Sequence, residues 1–254
     1  MGAYRAHVLV LRKTKLGETD TIVTLLARDG GQIRAVAKGL RKPGGRFGAR
    51  LEPYAVVDLL LHSGRTLDVI TEAVTVSSHA ALREDYDRAA AAAVVADLLD
   101  KISVEGQPEK QLFALSTTTL DVLAEAPLAT VPALVVAFLL KALAMHGYRP
   151  EIEVCASCGA PAAESGVISP SAGGVLCSRC AVSEAGSLRF SPEGRAWLAR
   201  LLGARMTDVQ ALDMPTAAVA DCFRIVRAFV VYHVPARLRA LDFYTEQLDE
   251  QGLA

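Results

Sequence analysis

The chain has 254 residues, of which 52 % are hydrophobic and 22 % charged, which is enough to bury a core in one large domain or two smaller ones. Its most apolar stretch, residues 131–145, contains Lys141 and is shorter than the ~18 residues of a membrane span, which argues against a transmembrane segment. Residues 1–11 lack the small-residue cleavage site of a signal peptide, so we expect a cytoplasmic, reducing compartment.

The net charge of −1 conceals a strong asymmetry along the chain. Residues 1–50 contain eleven basic and three acidic side chains, which gives +8, and the remaining residues carry −9. A basic end on an otherwise acidic protein indicates a polyanionic partner, and phosphate backbones are the usual one. The alternative is a solvated surface with a chance excess of arginine.

The first 80 residues have the pattern of β structure, with short runs rich in β-branched and apolar residues between turn signals. The predicted strands cover residues 6–11, 21–26, 32–37, 53–61 and 66–76. Five strands at this spacing predict a small closed barrel, and a basic face on such a barrel is typical of an OB-fold that binds single-stranded nucleic acid.

The pattern becomes helical after residue 79. Amphipathic or apolar helices are predicted over residues 80–99, 109–124, 132–146, 192–202, 216–234 and 236–248. The fold class is therefore α+β, with an OB-fold at residues 1–79 and a helical domain at residues 80–153 and 182–254. Residues 154–181 interrupt the helical domain as a small ribbon.

Four cysteines in this ribbon, Cys155, Cys158, Cys177 and Cys180, have the spacing C-x2-C-x18-C-x2-C. Two close pairs separated by a Gly- and Pro-rich segment predict a structural zinc site, because each C-x-x-C turn aims two thiolates at one point. Four thiolates complete the tetrahedron and leave no open position, so the single Zn²⁺ would hold structure and perform no chemistry.

Three other interpretations of the cysteines stay open at this point. They are a thioredoxin-like redox pair, two disulfides, or four unrelated buried cysteines. A redox motif needs one C-x-x-C alone, and disulfide frameworks belong to secreted mini-domains, so zinc is favoured. The fifth cysteine, Cys222, lies in an apolar run and is interpreted as a core thiol.

The loop from Lys38 to Gly48 carries four basic residues, one aromatic residue and four glycines. A flexible backbone with alternating cations can follow a phosphodiester chain, and Phe47 could stack on a base. The loop lacks the Lys-Ser/Thr pair of a P-loop, which argues against nucleotide hydrolysis. The predicted DNA contacts, from this loop and the strands beside it, are Arg12, Lys13, Lys15, Arg34, Lys38, Arg41, Lys42, Arg46 and Phe47.

The sequence contains no recognisable catalytic motif. Its five histidines are scattered, with no H-E-x-x-H, and it has no G-x-S-x-G elbow. We therefore expect a protein that is not an enzyme. A zinc-dependent enzyme and a zinc-stabilised protein–protein adaptor without a direct DNA role remain the alternatives.

Taken together, these residues resemble the RecO family of bacterial recombination mediators. The matching runs are LGETD at residues 16–20, AVAKG at 35–39, LEPY at 51–54, GYRP at 147–150 and SPSAGGVLC at 169–177. The resemblance covers nearly the whole chain, and the AVAKG run followed by the basic loop is its most specific part.

The resemblance implies an OB-fold before a helical domain that carries the zinc module. It also implies binding to single- and double-stranded DNA, annealing of complementary strands, and a role in DNA repair and homologous recombination at the nucleoid. The implied partners are RecR, the acidic tail of single-strand-binding protein and, indirectly, RecA, which family members help to load onto DNA coated by single-strand-binding protein.

Overall fold

The computed structural model describes residues 2–42, 45, 47–162 and 166–252. The backbone forms two compact units, residues 1–125 and residues 126–254. The domain boundaries inferred from the sequence stay a prediction.

The first unit begins with a closed five-stranded barrel. Its strands are β1 (Ala3–Leu16), β2 (Asp20–Ala27), β3 (Gln32–Ala37), β4 (Val56–His62) and β5 (Asp68–Ser77). They close in the order β1-β2-β3-β5-β4, with β3 and β5 parallel and every other pair antiparallel. A 3-10 turn, Gly48–Leu51, lies between β3 and β4.

Alternation along the strands explains why the barrel closes. Val8 and Val10 of β1, and Val23 and Leu25 of β2, point into one hydrophobic core, as period-two residues of neighbouring strands must. The prediction of an N-terminal five-stranded barrel is therefore confirmed, and β1 is longer than predicted at both ends.

Three helices complete the first unit: α1 (Ala81–Glu84), α2 (Tyr86–Ile102) and α3 (Lys110–Glu125). The predicted single helix over residues 80–99 is divided at Asp85, whose backbone is extended. The carboxylate of Asp85 accepts a hydrogen bond from the Arg88 N–H at 2.9 Å, so Asp85 caps a new helix and does not continue the old one.

Helix α2 packs against the outer face of β1 and β2. This face is buried although it points away from the barrel core: Leu9, Thr24 and Leu26 are each at most 1 % exposed. Gln32 ties the start of β3 to the end of α2, donating to the Asp100 carbonyl at 3.2 Å and to Ser103 Oγ at 3.2 Å. The outer surface of β1 and β2 is thus closed by the unit's own helix.

The second unit is built around α4 (Val131–Met145), which packs against three other helices. Residues 131–140 are all buried, which is typical of a helix at the centre of a core. Together with the preceding 3-10 turn, α4 forms the one stretch of the described residues, Leu128–Met145, that is long and apolar enough to cross a membrane. Since 67 % of this stretch is buried within the protein, it is accounted for as a core helix.

The other helices of the second unit surround α4 or follow it in the chain. They are α5 (Ser178–Ala181), α6 (Pro192–Gly203), α7 (Met206–Val209), α8 (Thr216–His233) and α9 (Arg239–Glu250). The predicted start of α6 is correct in detail, because Ser191 Oγ accepts from the Gly194 N–H at 2.9 Å and Pro192 occupies the first turn.

The cysteine ribbon is a three-stranded sheet in the order β7-β6-β8, with β6 (Gly166–Ser169), β7 (Gly174–Leu176) and β8 (Leu188–Phe190). Its third strand lies beyond residue 181, where the sequence placed the end of the ribbon. The predicted architecture, a barrel followed by a helical domain that carries a four-cysteine module, is confirmed.

Candidate metal centre and basic rim

Two turns bring the four cysteines together. In the first, the Gly159 N–H donates to the Cys155 carbonyl at 2.8 Å, and Gly159 has φ +71°, a conformation that favours glycine. In the second, Cys177 follows β7 directly and α5 carries Cys180, with the Ala181 N–H donating to the Cys177 carbonyl at 2.9 Å. Each turn therefore presents a pair of thiols from a fixed backbone.

Backbone pairing between residues 151–156 and β7 aligns the two turns. The Val175 N–H donates to the Glu151 carbonyl and the Ala156 N–H to the Val175 carbonyl, both at 2.8 Å. Gly174 permits this close approach, because a Cβ at that position would lie 2.3 Å from the Glu151 carbonyl oxygen. The first cysteine pair is thereby held beside the second.

The resulting geometry fits a tetrahedral metal ion. All four Sγ atoms lie within 4.8 Å of one another, and Cys158 Sγ and Cys177 Sγ are 3.8 Å apart. A tetrahedron with metal–sulfur bonds of about 2.3 Å has edges of about 3.8 Å. All four cysteines are free thiols, so the disulfide interpretation does not describe this structure.

The surroundings of the sulfur atoms favour the thiolate at Cys155 and oppose it at Cys180. Hydrogen bonds from the backbone, first from Cys177 and then from Cys158, lower the pKa of Cys155 to about 6. For Cys180, a hydrogen bond from Ser157 lowers the pKa, but the bonds with Cys177 and Cys158 outweigh it and raise the pKa to about 11. Thiolates gathered this closely repel one another, and a bound cation would offset that repulsion.

A second feature lies at one end of the barrel. There, four cations are brought together by the end of β1 and by the turn after β3; we call them the basic rim: Lys15, Lys38, Arg41 and Lys42. Lys15 pairs with Thr21, and Thr21 pairs with Ala37, so Lys15 and the turn after β3 lie at the same end of neighbouring strands. All four side chains are exposed.

Asp20 holds the rim in place. Its carboxylate accepts a hydrogen bond from the Gly39 N–H at 2.8 Å, while the Arg41 N–H donates to the Thr19 carbonyl at 3.0 Å. The bond from Gly39 lowers the pKa of Asp20, and the charges of Lys38 and Lys42 lower it further. The turn after β3 is thus fastened to the turn before β2.

Comparison with known proteins agrees with this combination of barrel and cysteine module. Residues 1–79 match the family model described as "Recombination protein O N terminal", and residues 83–242 match "Recombination protein O C terminal". The chain belongs to the RecO family. The resemblance noted in the sequence is therefore confirmed.

Curated relatives support the same assignment over almost the full length. A protein of a Nocardioides species, named DNA repair protein RecO, is 40 % identical over 94 % of this chain and 98 % of its own. Proteins of the same name from Frankia casuarinae and Thermobifida fusca are 42 % and 39 % identical, over 96 % and 95 % of this chain and 98 % of their own.

The predicted DNA contacts of this RecO-family chain fall into groups that the sequence could not separate. Arg12 lies 3.3 Å from the carboxylate of Asp100 in α2, and Lys13 lies 2.7 Å from that of Glu52. Their charges are already balanced inside the unit. The four rim cations have no ion pair within the described part of the chain.

The two remaining charged residues of the prediction lie elsewhere. Arg34 is exposed on the outer face of β3, near the start of the strand, whereas Lys38 follows the end of the strand. With Arg65 and Glu105, Arg34 lines a cavity of about 360 Å³. Arg46 lies outside the described residues, so its place in the rim stays a prediction.

Phe47 corrects the sequence-based prediction. Its side chain is 3 % exposed and belongs to the barrel core with Leu51 and Ala55. An aromatic ring in a polar, glycine-rich loop resembles a stacking residue, but the 3-10 turn after Phe47 folds it inward, where burial of the ring stabilises the barrel core. Phe47 is not available to stack on a base.

Two further residues act on these sites and were not among the predicted ones. One is Asp20. Its position, as an acidic residue at the start of a strand in an otherwise basic segment, is the signal that would have pointed to it. The other is Arg179, between the cysteines of the second pair, whose pKa is raised by a hydrogen bond to Cys158. A cation inside a C-x-x-C turn is the signal that would have pointed to it.

Proposed function

We propose that this protein is a non-enzymatic mediator of DNA repair and homologous recombination that binds single- and double-stranded DNA and anneals complementary strands. Membership in the RecO family supports a role in DNA repair. The observation that carries the proposal is the basic rim: four exposed cations that form no ion pair in the described residues, on a turn that Asp20 holds in place. Arg46 is included in the proposed site, and Arg12, Lys13 and Arg34 are secondary contacts.

Annealing follows from electrostatics. Two complementary strands repel each other through their phosphates, and cations that neutralise both strands lower the cost of bringing them together. Contacts to phosphates leave the base edges free to pair, whereas contacts to the base edges would obstruct pairing. No bond is made or broken in this step, so neither a nucleotide nor a catalytic residue is needed.

We assign one structural Zn²⁺ to Cys155, Cys158, Cys177 and Cys180. Four thiolates at tetrahedral spacing suit zinc, and no ligand position is left for water or substrate. When bound, the ion would supply a cross-link between the two cysteine turns. The chain's own contribution is the pairing of residues 151–156 with β7, which brings the turns into register.

The proposed partners are those that the family resemblance implies. They are RecR, the acidic tail of single-strand-binding protein and, indirectly, RecA, whose loading onto coated DNA this protein would assist. We propose a cytoplasmic location in association with the nucleoid, since that is where such partners and their DNA are found.

The test is annealing of two complementary oligonucleotides, one carrying a fluorophore and the other a quencher. We expect annealing without ATP, weakening with added salt, and loss of annealing in the variant Lys15→Gln/Lys38→Gln/Arg41→Gln/Lys42→Gln with zinc content and helical content unchanged. Annealing that required ATP, or that survived in this variant, would exclude the mediator function and favour a protein–protein adaptor.

A further inference from the structure

A groove in the second unit lies outside both sites described above. It has a volume of about 460 Å³ and is formed where α8 ends and the chain turns through Pro235 into α9. Its apolar walls come from Val230, Val234 and Leu238. Its charged and aromatic groups come from Arg227, Tyr232 and Arg237. The volume is within the range of small-ligand sites.

The cations of the groove are not equivalent. Arg237 is paired, since its Nε lies 2.6 Å from the carboxylate of Asp242. Arg227 lines the groove and has no ion pair among the described residues. Its Nε is buried, so a ligand would reach the guanidinium through the Nη groups. An anionic oxygen is the acceptor that a guanidinium binds best, so the groove favours a ligand with an anionic oxygen at Arg227.

Tyr232 adds a flat aromatic surface to the groove. It is 59 % exposed, and its orientation is supported by His233, whose ring it meets edge to face at 4.9 Å and 85°. His233 is itself packed between rings, because Tyr148 stacks on it at 4.3 Å and 17° and the Phe229 ring lies 5.8 Å away at 41°. An exposed ring held in one orientation is a platform on which a base can stack.

The stacking contact joins one of the runs that carried the family resemblance to the end of α8. Tyr148 belongs to GYRP, and Tyr232 and His233 belong to the end of α8. Residues 85 positions apart in sequence, Tyr148 and His233, thus stack on each other, and His233 supports the ring of Tyr232.

We propose that this groove binds an unpaired nucleotide of a DNA strand, with the base against Tyr232 and the phosphate at Arg227. The proposal rests on the strand-annealing function proposed above and extends it, since the chain would then contact strands at two sites, the basic rim and this groove. A peptide with acidic and apolar residues is the competing occupant. The exposed aromatic plane favours the nucleotide, because a base uses the whole ring face whereas an apolar side chain needs an enclosed pocket.

The first experiment is photocrosslinking of the unaltered full-length chain to a single-stranded oligonucleotide that contains 5-iododeoxyuridine. Trypsin cleaves after Arg227 and Arg237, so a contact at the platform would mark the peptide of residues 228–237. We expect this peptide among the crosslinked products, both in the native chain and in the quadruple rim variant.

The second experiment is annealing by the variant Arg227→Gln/Tyr232→Ala, with Arg205→Gln/Tyr86→Ala as the control that removes the same charge and the same ring elsewhere. We expect annealing to slow about five-fold or more in the groove variant, since one stacked base and one phosphate contact are lost, and to be unchanged in the control. Thermal melts and zinc content would establish that both variants are folded.

The outcomes separate this inference from the proposed function. No crosslink within residues 228–237 together with normal annealing by the groove variant would overturn the groove, while loss of affinity in the rim variant would still uphold the mediator function. A fluorescent peptide of alternating Glu and Leu that bound at the groove, where the oligonucleotide gave no crosslink, would overturn the nucleotide assignment in favour of a peptide.

Discussion

We expect the salt dependence of DNA binding to distinguish the rim cations from the paired cations of β1. Each phosphate contact to a single strand contributes about 0.7 to the slope of log K against log salt concentration. Lys38→Gln/Lys42→Gln removes two cations that have no ion pair in the described residues. We therefore expect the slope to fall by about 1.4 and the affinity at about 0.1 M salt to fall about 25-fold.

The matched control is Arg12→Gln/Lys13→Gln, which removes the same formal charge from the same barrel. Both of these residues already face a carboxylate, Asp100 at 3.3 Å and Glu52 at 2.7 Å. A phosphate would have to compete with that carboxylate, so few counterions are displaced from the DNA at these positions. We expect the slope to change by less than about half of the value for the rim pair.

Fluorescence anisotropy of a labelled oligo-dT, titrated at a series of salt concentrations, measures both slopes. Circular dichroism and zinc content would confirm that the two variants are folded alike. Equal changes of the salt slope in the two double variants would mean that the protein binds DNA through its overall charge and not through the rim. An unchanged slope in the rim double would place the binding site elsewhere on the chain.

Three further predictions concern the metal, the core and the rim turn. Elemental analysis should return one zinc per chain, and X-ray absorption should give Zn–S distances of about 2.3 Å. The variant Cys158→Ser should lose the metal, whereas Cys222→Ala should keep it. A native chain without zinc would refute the assignment. Phe47→Ala should lower the free energy of unfolding, measured in urea, by about 3–5 kcal/mol. The control Phe243→Ala, at a residue that is 46 % exposed, should lower it far less. Equal losses of stability in the two variants would contradict the burial of Phe47. Asp20→Asn should destabilise the protein at neutral pH, because the pKa of Asp20 is lowered from its ordinary 3.8 by the Gly39 N–H. Its stabilising effect is present above that value and is lost as the pH falls through the lowered pKa, so urea unfolding of the two proteins should converge in acid, and a difference that persisted there would argue against this role.

Local signals predicted the parts of this structure that depend on neighbours in sequence. The cysteine spacing predicted the module because each C-x-x-C turn is a local structure, and its sulfur atoms do converge. The strands were predicted because period-two alternation is set within a few residues. The helix after residue 80 was predicted, but its break was not, since an Asp in a helical pattern gives no clear sign that it will cap a new helix.

Contacts between distant residues were not predictable in the same way. Arg12 and Asp100 are 88 residues apart, and nothing in the basic run of residues 12–15 distinguishes the two paired cations from Lys15. Phe47 was misassigned for a related reason. Its neighbours are glycines and cations, and only the closed barrel shows that the ring has an apolar site to fill.

The position of α2 is one reason why we propose the rim as the DNA-binding site. In OB-folds, oligonucleotides bind the face of strands 2 and 3 and the adjoining loops. Here the outer face of β1 and β2 is buried beneath α2, and Gln32 fastens the start of β3 to the end of that helix. The turns at the end of the barrel stay uncovered, and there Lys15 and the turn after β3 offer cations but no aromatic ring. We propose that such a surface holds phosphates and leaves the bases uncovered, and uncovered bases are what a second strand needs in order to pair.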